Sequence, residues 1–279
     1  MTKKSYLIGA LCDRGLVKNI NQDRILVKIG EEDEGDFGLF VIADGMGGLT
    51  AGDVASSIAV ESFKEWWNKD FIRFLPVIKD DFYLLNLEFQ RLFEGINENI
   101  ISYGNKIGNR VGTTLSALLI YRSNYIICHI GDSRIYQIDK DLSQLTLDHS
   151  WVGEEVRKGN LTTEEAKKHP KRNMLTQCLG ANANFSPFCH RGKVTDDTRF
   201  LMCSDGFYSL LKDKEILEKL KGRFKEEEEV QESIRALFEM VKCRGATDNI
   251  SAIFIVPQIE EETTDFISNL VNKITRKSL

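Results

Sequence analysis

With 279 residues, 42% of them hydrophobic and 28% charged, the chain is long enough to bury a substantial core in one large domain or two small ones. A formal net charge of −5 argues against a nucleic-acid binder, which needs a basic face, and no uninterrupted apolar run approaches the length of a membrane span. The amino-terminal stretch MTKKSYLIGALCDRG is too short in apolar residues for a secretory signal, so a first β-strand is expected there. Six scattered cysteines (Cys12, Cys128, Cys178, Cys189, Cys203, Cys243) never form C-x-x-C and mostly sit in apolar runs, which points to buried reduced thiols and a cytoplasmic location. Cys128–His129 and Cys189–His190 are adjacent pairs whose side chains would face opposite ways on a strand, so no zinc site is expected from them.

In chain order, Tyr6–Leu11, Arg24–Ile29 and Leu39–Ala43 read as strands. Val54–Trp67 spaces Val54, Ile58, Ala59, Phe63 and Trp66 at helical intervals, behind a Thr50-x-x-Asp53 capping box. Leu85, Phe89, Leu92, Phe93, Ile96 and Ile100 form a second helical stripe. Leu115–Ile120 and Tyr125–Ile130, separated by Arg122–Asn124, read as a hairpin, followed by strands Ile135–Ile138 and Arg199–Cys203. Glu226–Glu229 suits the positive end of a third helix carrying Val230, Ile234, Leu237, Phe238 and Val241, and Ser251–Val256 is a last strand. Strands cluster rather than alternating singly with helices, which predicts an α+β layered sandwich. No linker interrupts the first 257 residues, so one domain (1–257) is expected. Residues 258–279 form an amphipathic tail, a helix that packs on its own domain or docks a partner.

An apolar run that ends on an acid recurs along the chain. Phe40–Ala43 runs into Asp44–Gly45, Ile126–Ile130 into Gly131–Asp132, and Phe200–Cys203 into Ser204–Asp205–Gly206. Asp248 stands just before the last strand. One Asp-Gly after an apolar run is ordinarily a turn. Antiparallel pairing, however, sets the end of one strand beside the start of its neighbour, so these acids can meet at one edge. Gathered carboxylates repel, and a hard divalent cation removes the conflict. The glycines let main chain approach such an ion.

Eight stretches then resemble, in order, the motifs of the metal-dependent protein phosphatases (the PPM, or type two C, class), closest to the bacterial Ser/Thr phosphatase branch. They are DRGLVKNINQDR, VIADGMGGLTAG, GTTLSALL, IGDSRIY, LTLDHSWV, LTQCLG, CSDGFYSLL and ATDNISAIFI, spanning nearly all of residues 5–257. The resemblance implies a four-layer αββα sandwich of two antiparallel sheets flanked by helices. It implies a two-metal centre of Mn2+ or Mg2+ in which Asp44 bridges, the Gly45 carbonyl completes one ion, and Asp205 and Asp248 hold the other. Asp132 with Asp205 matches the holder of a third, weaker ion. Gln22, Asp23 and Asn249 would steady ligands and waters around the ions. The implied reaction is hydrolysis of phosphoserine and phosphothreonine by direct attack of a metal-bridging water, opposing a bacterial Ser/Thr kinase in signal transduction.

Two departures from the family pattern stand out. Lys18 occupies the place of a phosphate-binding arginine, keeping the charge without the two-pronged grip. Met46 stands where many eukaryotic members carry a histidine, so it cannot protonate a leaving group; His149 is either a loop-tying residue or a proton helper. The segment between His149 and Asn173, with a Thr162-x-x-Glu165 capping box, matches the family's flap (about 150–173) and is where substrate choice is expected. The expected partners are phosphorylated proteins and a kinase, with the chain a monomer. The rival readings are a catalytically silent phosphoprotein-binding relative and a dedicated switch phosphatase for one regulatory protein.

Overall fold

Phe40 and Ile42 point into one hydrophobic core, while Leu39, Val41 and Ala43 point into another. Their strand is therefore covered on both faces, which is why it reads as a continuous apolar run rather than an alternating one. The computed structural model describes residues 3–33, 35–47, 51–78, 83–195 and 197–260. The elements in chain order are β1 (Lys3–Asp13), β2 (Asp23–Glu32), β3 (Gly35–Met46), α1 (Ala51–Trp66), a π-helical turn (Trp67–Phe71), α2 (Ile72–Ile78), α3 (Leu84–Ile107), β4 (Gly112–Thr113) and β5 (Leu115–Tyr121). They continue with β6 (Asn124–Ile130), β7 (Arg134–Ile138), β8 (Leu142–Gln144), α4 (Trp151–Arg157), α5 (Thr163–Lys168), β9 (Phe188–Lys193), β10 (Arg199–Cys203), α6 (Asp205–Tyr208), α7 (Asp213–Leu220), α8 (Glu227–Cys243) and β11 (Ile250–Glu260).

Two antiparallel sheets result. One runs β2–β3–β5–β6–β9 and the other β8–β7–β10–β11–β1. They touch along their edges through one parallel bridge, Lys4 to Gly35. Phe40, Ile42, Leu118, Ile127, Phe200 and Ile253 fill the space between them. On the outer face of the first sheet, Phe63 of α1 and Phe89 and Phe93 of α3 pack over Val41 and Leu119. On the outer face of the second, Ile216 of α7 and Ile234 and Leu237 of α8 cover Leu201 and Phe254. This is the expected αββα sandwich. Each fully buried phenylalanine contributes about 1.5–3 kcal/mol of transfer free energy, so the three cores carry the fold.

The expected strands and helices within residues 1–257 fall on observed ones, whereas residues 258–260, expected to open a helical tail, extend the last strand. α1 begins at Ala51, and Thr50 of its expected capping box lies outside the described residues. The expected helix Val54–Trp67 gives way to the π-helical turn at Trp67. Thr162 and Glu165 form the capping box of α5, and Glu226 and Glu229 form one at α8. Three strands were not expected: β4, β8 and β9. β11 continues to Glu260, pairing Gln258, Ile259 and Glu260 with Ser5, Lys4 and Lys3. The rest of the amphipathic tail lies outside the described residues. Among the described residues no helix is long and apolar enough to cross a membrane.

Candidate metal centre

The ends of strands from both sheets meet at one edge of the sandwich. Asp44 lies near the end of β3, Asp132 two residues past β6, Asp205 two residues past β10 at the start of α6, and Asp248 just ahead of β11. Asp23 opens β2 opposite Asp44 in the antiparallel register. The expected acids therefore converge, and Asp23 joins them as a fully buried member.

Their charges act on one another. Burial first, then the fields of Asp23, Asp205, Asp132 and Asp248, push the Asp44 carboxyl well above the ordinary carboxylate range. Burial and then Asp205 raise Asp132 in the same way. Asp205 is pushed up to about 6 by burial and then Asp248, eased by hydrogen bonds from the Gly206 backbone and with Asp44. Asp23 is pushed up to about 7, chiefly by burial, with Asp205 and Asp248 adding to it. The nearby Ser204 and Ser251 hydroxyls ease the Asp23 anion, yet neither makes a well-formed hydrogen bond to it. Both Asp23 carboxylate oxygens and Asp205 Oδ1 are buried without a donor. Among the described residues no three acidic, histidine or cysteine side chains close into a metal-ligand group. The acids meet as the Asp44–Asp205 pair, with the others around it. Asp248 turns to Lys18, whose Nζ lies 2.8 Å from its Oδ1. Buried, mutually repelling, oxygen-only donors with orphaned atoms suit a hard divalent cation.

The backbone around these acids is pinned by Thr113 and Thr114, whose roles sequence reasoning did not assign, and by Gln22 and Asn249, whose roles it did. Thr114 Oγ1 accepts from the Asp44 N–H at 3.0 Å, while Thr114 N and Thr113 Oγ1 donate to the Asp44 carbonyl at 2.8 and 2.9 Å. Both threonines lie in the GTTLSALL stretch, where two consecutive hydroxyls at a strand start were the available signal. Gly45 donates to the Gln22 carbonyl at 3.1 Å, and a Cβ placed on Gly45 would lie 2.0 Å from the Gly52 carbonyl oxygen. No other residue fits that close approach. Asn249 accepts from Gln22 N at 2.9 Å and donates through Nδ2 to the Arg14 and Ile20 carbonyls, fixing the loop that carries Lys18.

Asp132 is held by a second set of contacts. His149 Nδ1 accepts from Gly131 N at 3.1 Å, and the His149 backbone N–H donates to the Gly131 carbonyl at 2.7 Å. Its loop-tying role is thereby visible, and burial holds its pKa below the usual histidine range. His129, unassigned by the sequence, stacks on His149, bonds Ser116 at 2.8 Å, and is depressed to about 3, chiefly by burial. Tyr208 donates its hydroxyl to the Asp132 carbonyl at 3.0 Å. Met46 closes β3 opposite Gly112 of β4. A cleft of about 640 Å3 leads from Asp132, Asp205 and Asp248 to Val152, Ala166 and Arg172 of the segment that carries α4 and α5.

A four-layer sandwich with an acidic edge of this make-up is the layout of a metal-dependent phosphatase. The model of the family "Protein phosphatase 2C" matches residues 17–254, and the chain belongs to that family. It is 31% identical over 262 residues to the serine/threonine phosphatase stp of Listeria innocua, covering 91% of this chain and 96% of that protein. The serine/threonine phosphatase PstP/Ppp of Mycobacterium tuberculosis superposes with a TM-score of 0.76 at 30% identity, covering 90% and 98% of the two chains. The catalytic domain of PstP in complex with two manganese ions gives 0.74 at 28% identity, covering 94% and 100%.

Proposed function

We propose that this chain is a metal-dependent protein serine/threonine phosphatase that hydrolyses phosphoserine and phosphothreonine. The observation that carries the reading is the Asp44–Asp205 pair at one sandwich edge, with Asp23, Asp132 and Asp248 near enough to act on it and with oxygens of Asp23 and Asp205 buried without donors. Family membership and relatives named serine/threonine phosphatases support it, one of them solved with two manganese ions.

In this reading Asp44, the Gly45 carbonyl, Asp205 and Asp248 hold two Mn2+ or Mg2+ ions, and Asp132 with Asp205 holds a third, weaker one. When bound, such ions supply an activated water and neutralise phosphoryl oxygens. The chain's own residues do the rest. Thr113 and Thr114 fix the Asp44 backbone, and Gln22, Asp23 and Asn249 keep the surrounding loops and waters in register. Lys18 offers its ammonium to the phosphate, and the cleft beneath α4 and α5 receives the polypeptide around it. The phosphatase domain runs to about residue 260, where β11 ends, with the amphipathic tail beyond it as an appendage. A cytoplasmic location, a monomeric state and a kinase-opposing partner belong to the same reading; the scattered cysteines bear on the location alone, and only Cys128 and Cys203 are buried as expected, while Cys12 and Cys243 are exposed.

The test uses purified protein, Mn2+ and a phosphothreonine peptide. Phosphate release is expected, with loss on adding a chelator and a fall of about 1,000-fold or more in Asp44→Asn, since one ligand of both ions is neutralised. Full activity in Asp44→Asn would overturn the reading.

A further inference from the structure

Cys128 and Cys189 are direct partners in the antiparallel register of β6 and β9, and their sulfurs lie 3.1 Å apart. Opposed residues in such a ladder have Cα atoms about 4.5–5.5 Å apart, inside the span of a disulfide. Bonding requires the sulfurs to close to about 2.05 Å with a Cβ–S–S–Cβ dihedral of about 90°, and no change of register. Both thiols are free. Cys128 is buried in the core beneath α3, whereas Cys189 is partly exposed on β9, the outer strand of its sheet. Cys189, the more exposed of the two, is the thiol that an oxidant from solvent reaches first. Neither sulfur has a part in phosphate hydrolysis as described above.

We propose that Cys128 and Cys189 form a reversible redox modification site that closes to a cross-strand disulfide on exposure to a hydroperoxide. The Cys189 thiolate attacks the terminal peroxide oxygen. The O–O bond breaks, the departing oxygen takes a proton to leave as water or an alcohol, and Cys189 becomes a sulfenic acid. The Cys128 thiol then attacks that sulfur, the S–O bond breaks, and the departing hydroxide takes the Cys128 proton and leaves as water. Two thiols lose two electrons in total, and the peroxide gains them. Partial exposure of Cys189 admits the oxidant, and the 3.1 Å approach of Cys128 outpaces further oxidation.

The bond has a structural consequence. The segment between the two cysteines contains Asp132, His149, α4 and α5. Oxidation ties both ends of the chain stretch that forms one wall of the cleft. The thiol reductants of a cytoplasm would reopen it.

Full-length protein, reduced and desalted, is treated with hydrogen peroxide and then nicked by limited trypsin in the basic stretch from Arg157 to Arg172. On a denaturing gel without reductant, the fragment carrying Cys128 and the fragment carrying Cys189 are expected to run as one, and to separate when dithiothreitol is added. Peptide mapping should find Cys128 joined to Cys189, with two free thiols lost per chain. Cys189→Ser should give separated fragments with or without peroxide. Separation of the oxidised wild-type fragments, a link confined to other cysteines, or conversion of Cys189 to its sulfinic acid with Cys128 still free would each overturn the proposal. The mapping reads the wild-type chain directly, so it stands even where a cysteine variant folds poorly.

Discussion

Lys18 Nζ rests 2.8 Å from Asp248 Oδ1, so the cation assigned to substrate phosphate is paired with an acid assigned to a metal ion. The two side chains are 42% and 40% exposed, and a pair this open is worth about 1 kcal/mol or less. The hydrogen bond to Asp248 raises the Lys18 pKa and keeps the ammonium charged. Phosphate and a divalent ion can therefore each displace one half of the pair at small cost. In Lys18→Met, KM for a phosphopeptide is expected to rise about tenfold through loss of a charge-assisted contact worth about 1.4 kcal/mol. Mn2+ affinity measured by calorimetry should tighten a few fold, because Asp248 no longer has a competing cation. Unchanged values of both would make Lys18 a surface lysine with no part in the site.

Acidity should act on the metal-free protein through Asp23. Its folded pKa is pushed up to about 7, chiefly by burial, above an ordinary value of 3.8. Between those limits the folded state holds a proton that the unfolded state releases, so stability is greatest at low pH and is lost as pH rises through 7. From about pH 5.5 to about pH 7.5 the chelated wild type should lose about 2 kcal/mol more unfolding free energy than chelated Asp23→Asn, which has no such proton to lose. Urea titrations at the two pH values measure it. Parallel pH dependence in the two proteins would place Asp23 outside the electrostatic cluster.

Both what the sequence discloses and what it hides follow from the physics of these elements. β3, β5, β6, β10 and β11 are covered on both faces, so their apolar runs are long and unambiguous, and an acid ending such a run is conspicuous. β9 is a half-exposed outer strand reading FCHRGK, and β8 has three residues, so neither carries a periodic signal. Asp44, Asp132, Asp205 and Asp248 could be picked out by their strand-end positions, and Lys18 and Asn249 by family pattern. The Lys18–Asp248 pair, the hydroxyl clamps of Thr113 and Thr114 and the bonds of His129 join residues distant along the chain. Only the packed sheets bring them together, so no local pattern announces them.

Two glycines should respond to alanine in opposite directions. A Cβ on Gly206, beside Asp205, would lie 2.0 Å from the Asn249 carbonyl oxygen, and that neighbour is backbone. Gly206→Ala must push the Asp205 turn away from the start of β11, costing about 1–3 kcal/mol. Gly95 lies within α3 and a Cβ there meets nothing within 4 Å. Gly95→Ala should stabilise by about 0.5–1 kcal/mol through helix propensity. Thermal unfolding of both variants checks the pair of signs, and a neutral Gly206→Ala would mean that the turn has slack.

Chain end position separates two truncations. Ending at Val256 or Pro257 removes the β11 residues paired with Lys3, Lys4 and Ser5, together with the 3.1 Å bond from Gln258 Nε2 to the Phe224 carbonyl. A chain ending at 257 should lose about 1–2 kcal/mol relative to one ending at 260, a few ladder bonds at about 0.5 kcal/mol or more each. Phosphate release should be alike in both, since the strand ends concerned lie far along β1 from Asp13 and the acids. Equal stability would show that β11 contributes nothing past Pro257.

Arg134 joins the acidic edge to the cleft wall. Its guanidinium lies 3.8 Å from the Tyr208 ring centroid, donates to Asp148 through Nη2 at 2.7 Å and through Nε at 3.1 Å, and reaches the Tyr136 hydroxyl at 2.9 Å. Tyr208 in turn holds the Asp132 carbonyl. Removing the arginine alone leaves Asp148 a half-buried anion with only Gln144 Nε2 near one oxygen, at 2.7 Å. Arg134→Met should therefore cost about 2–3 kcal/mol, because one partner of a half-buried, charge-assisted pair is stranded. Asp148→Asn in the Arg134→Met background removes that charge and should recover about 1–2 kcal/mol, making the double variant more stable than Arg134→Met. Tyr208→Phe keeps the ring beneath the guanidinium and deletes only the bond to Asp132, so about 1 kcal/mol is expected from it. Urea unfolding of the four proteins measures the set. If the double variant proves no more stable than Arg134→Met, the loss arises from packing against Tyr208 rather than from the unpaired Asp148 charge.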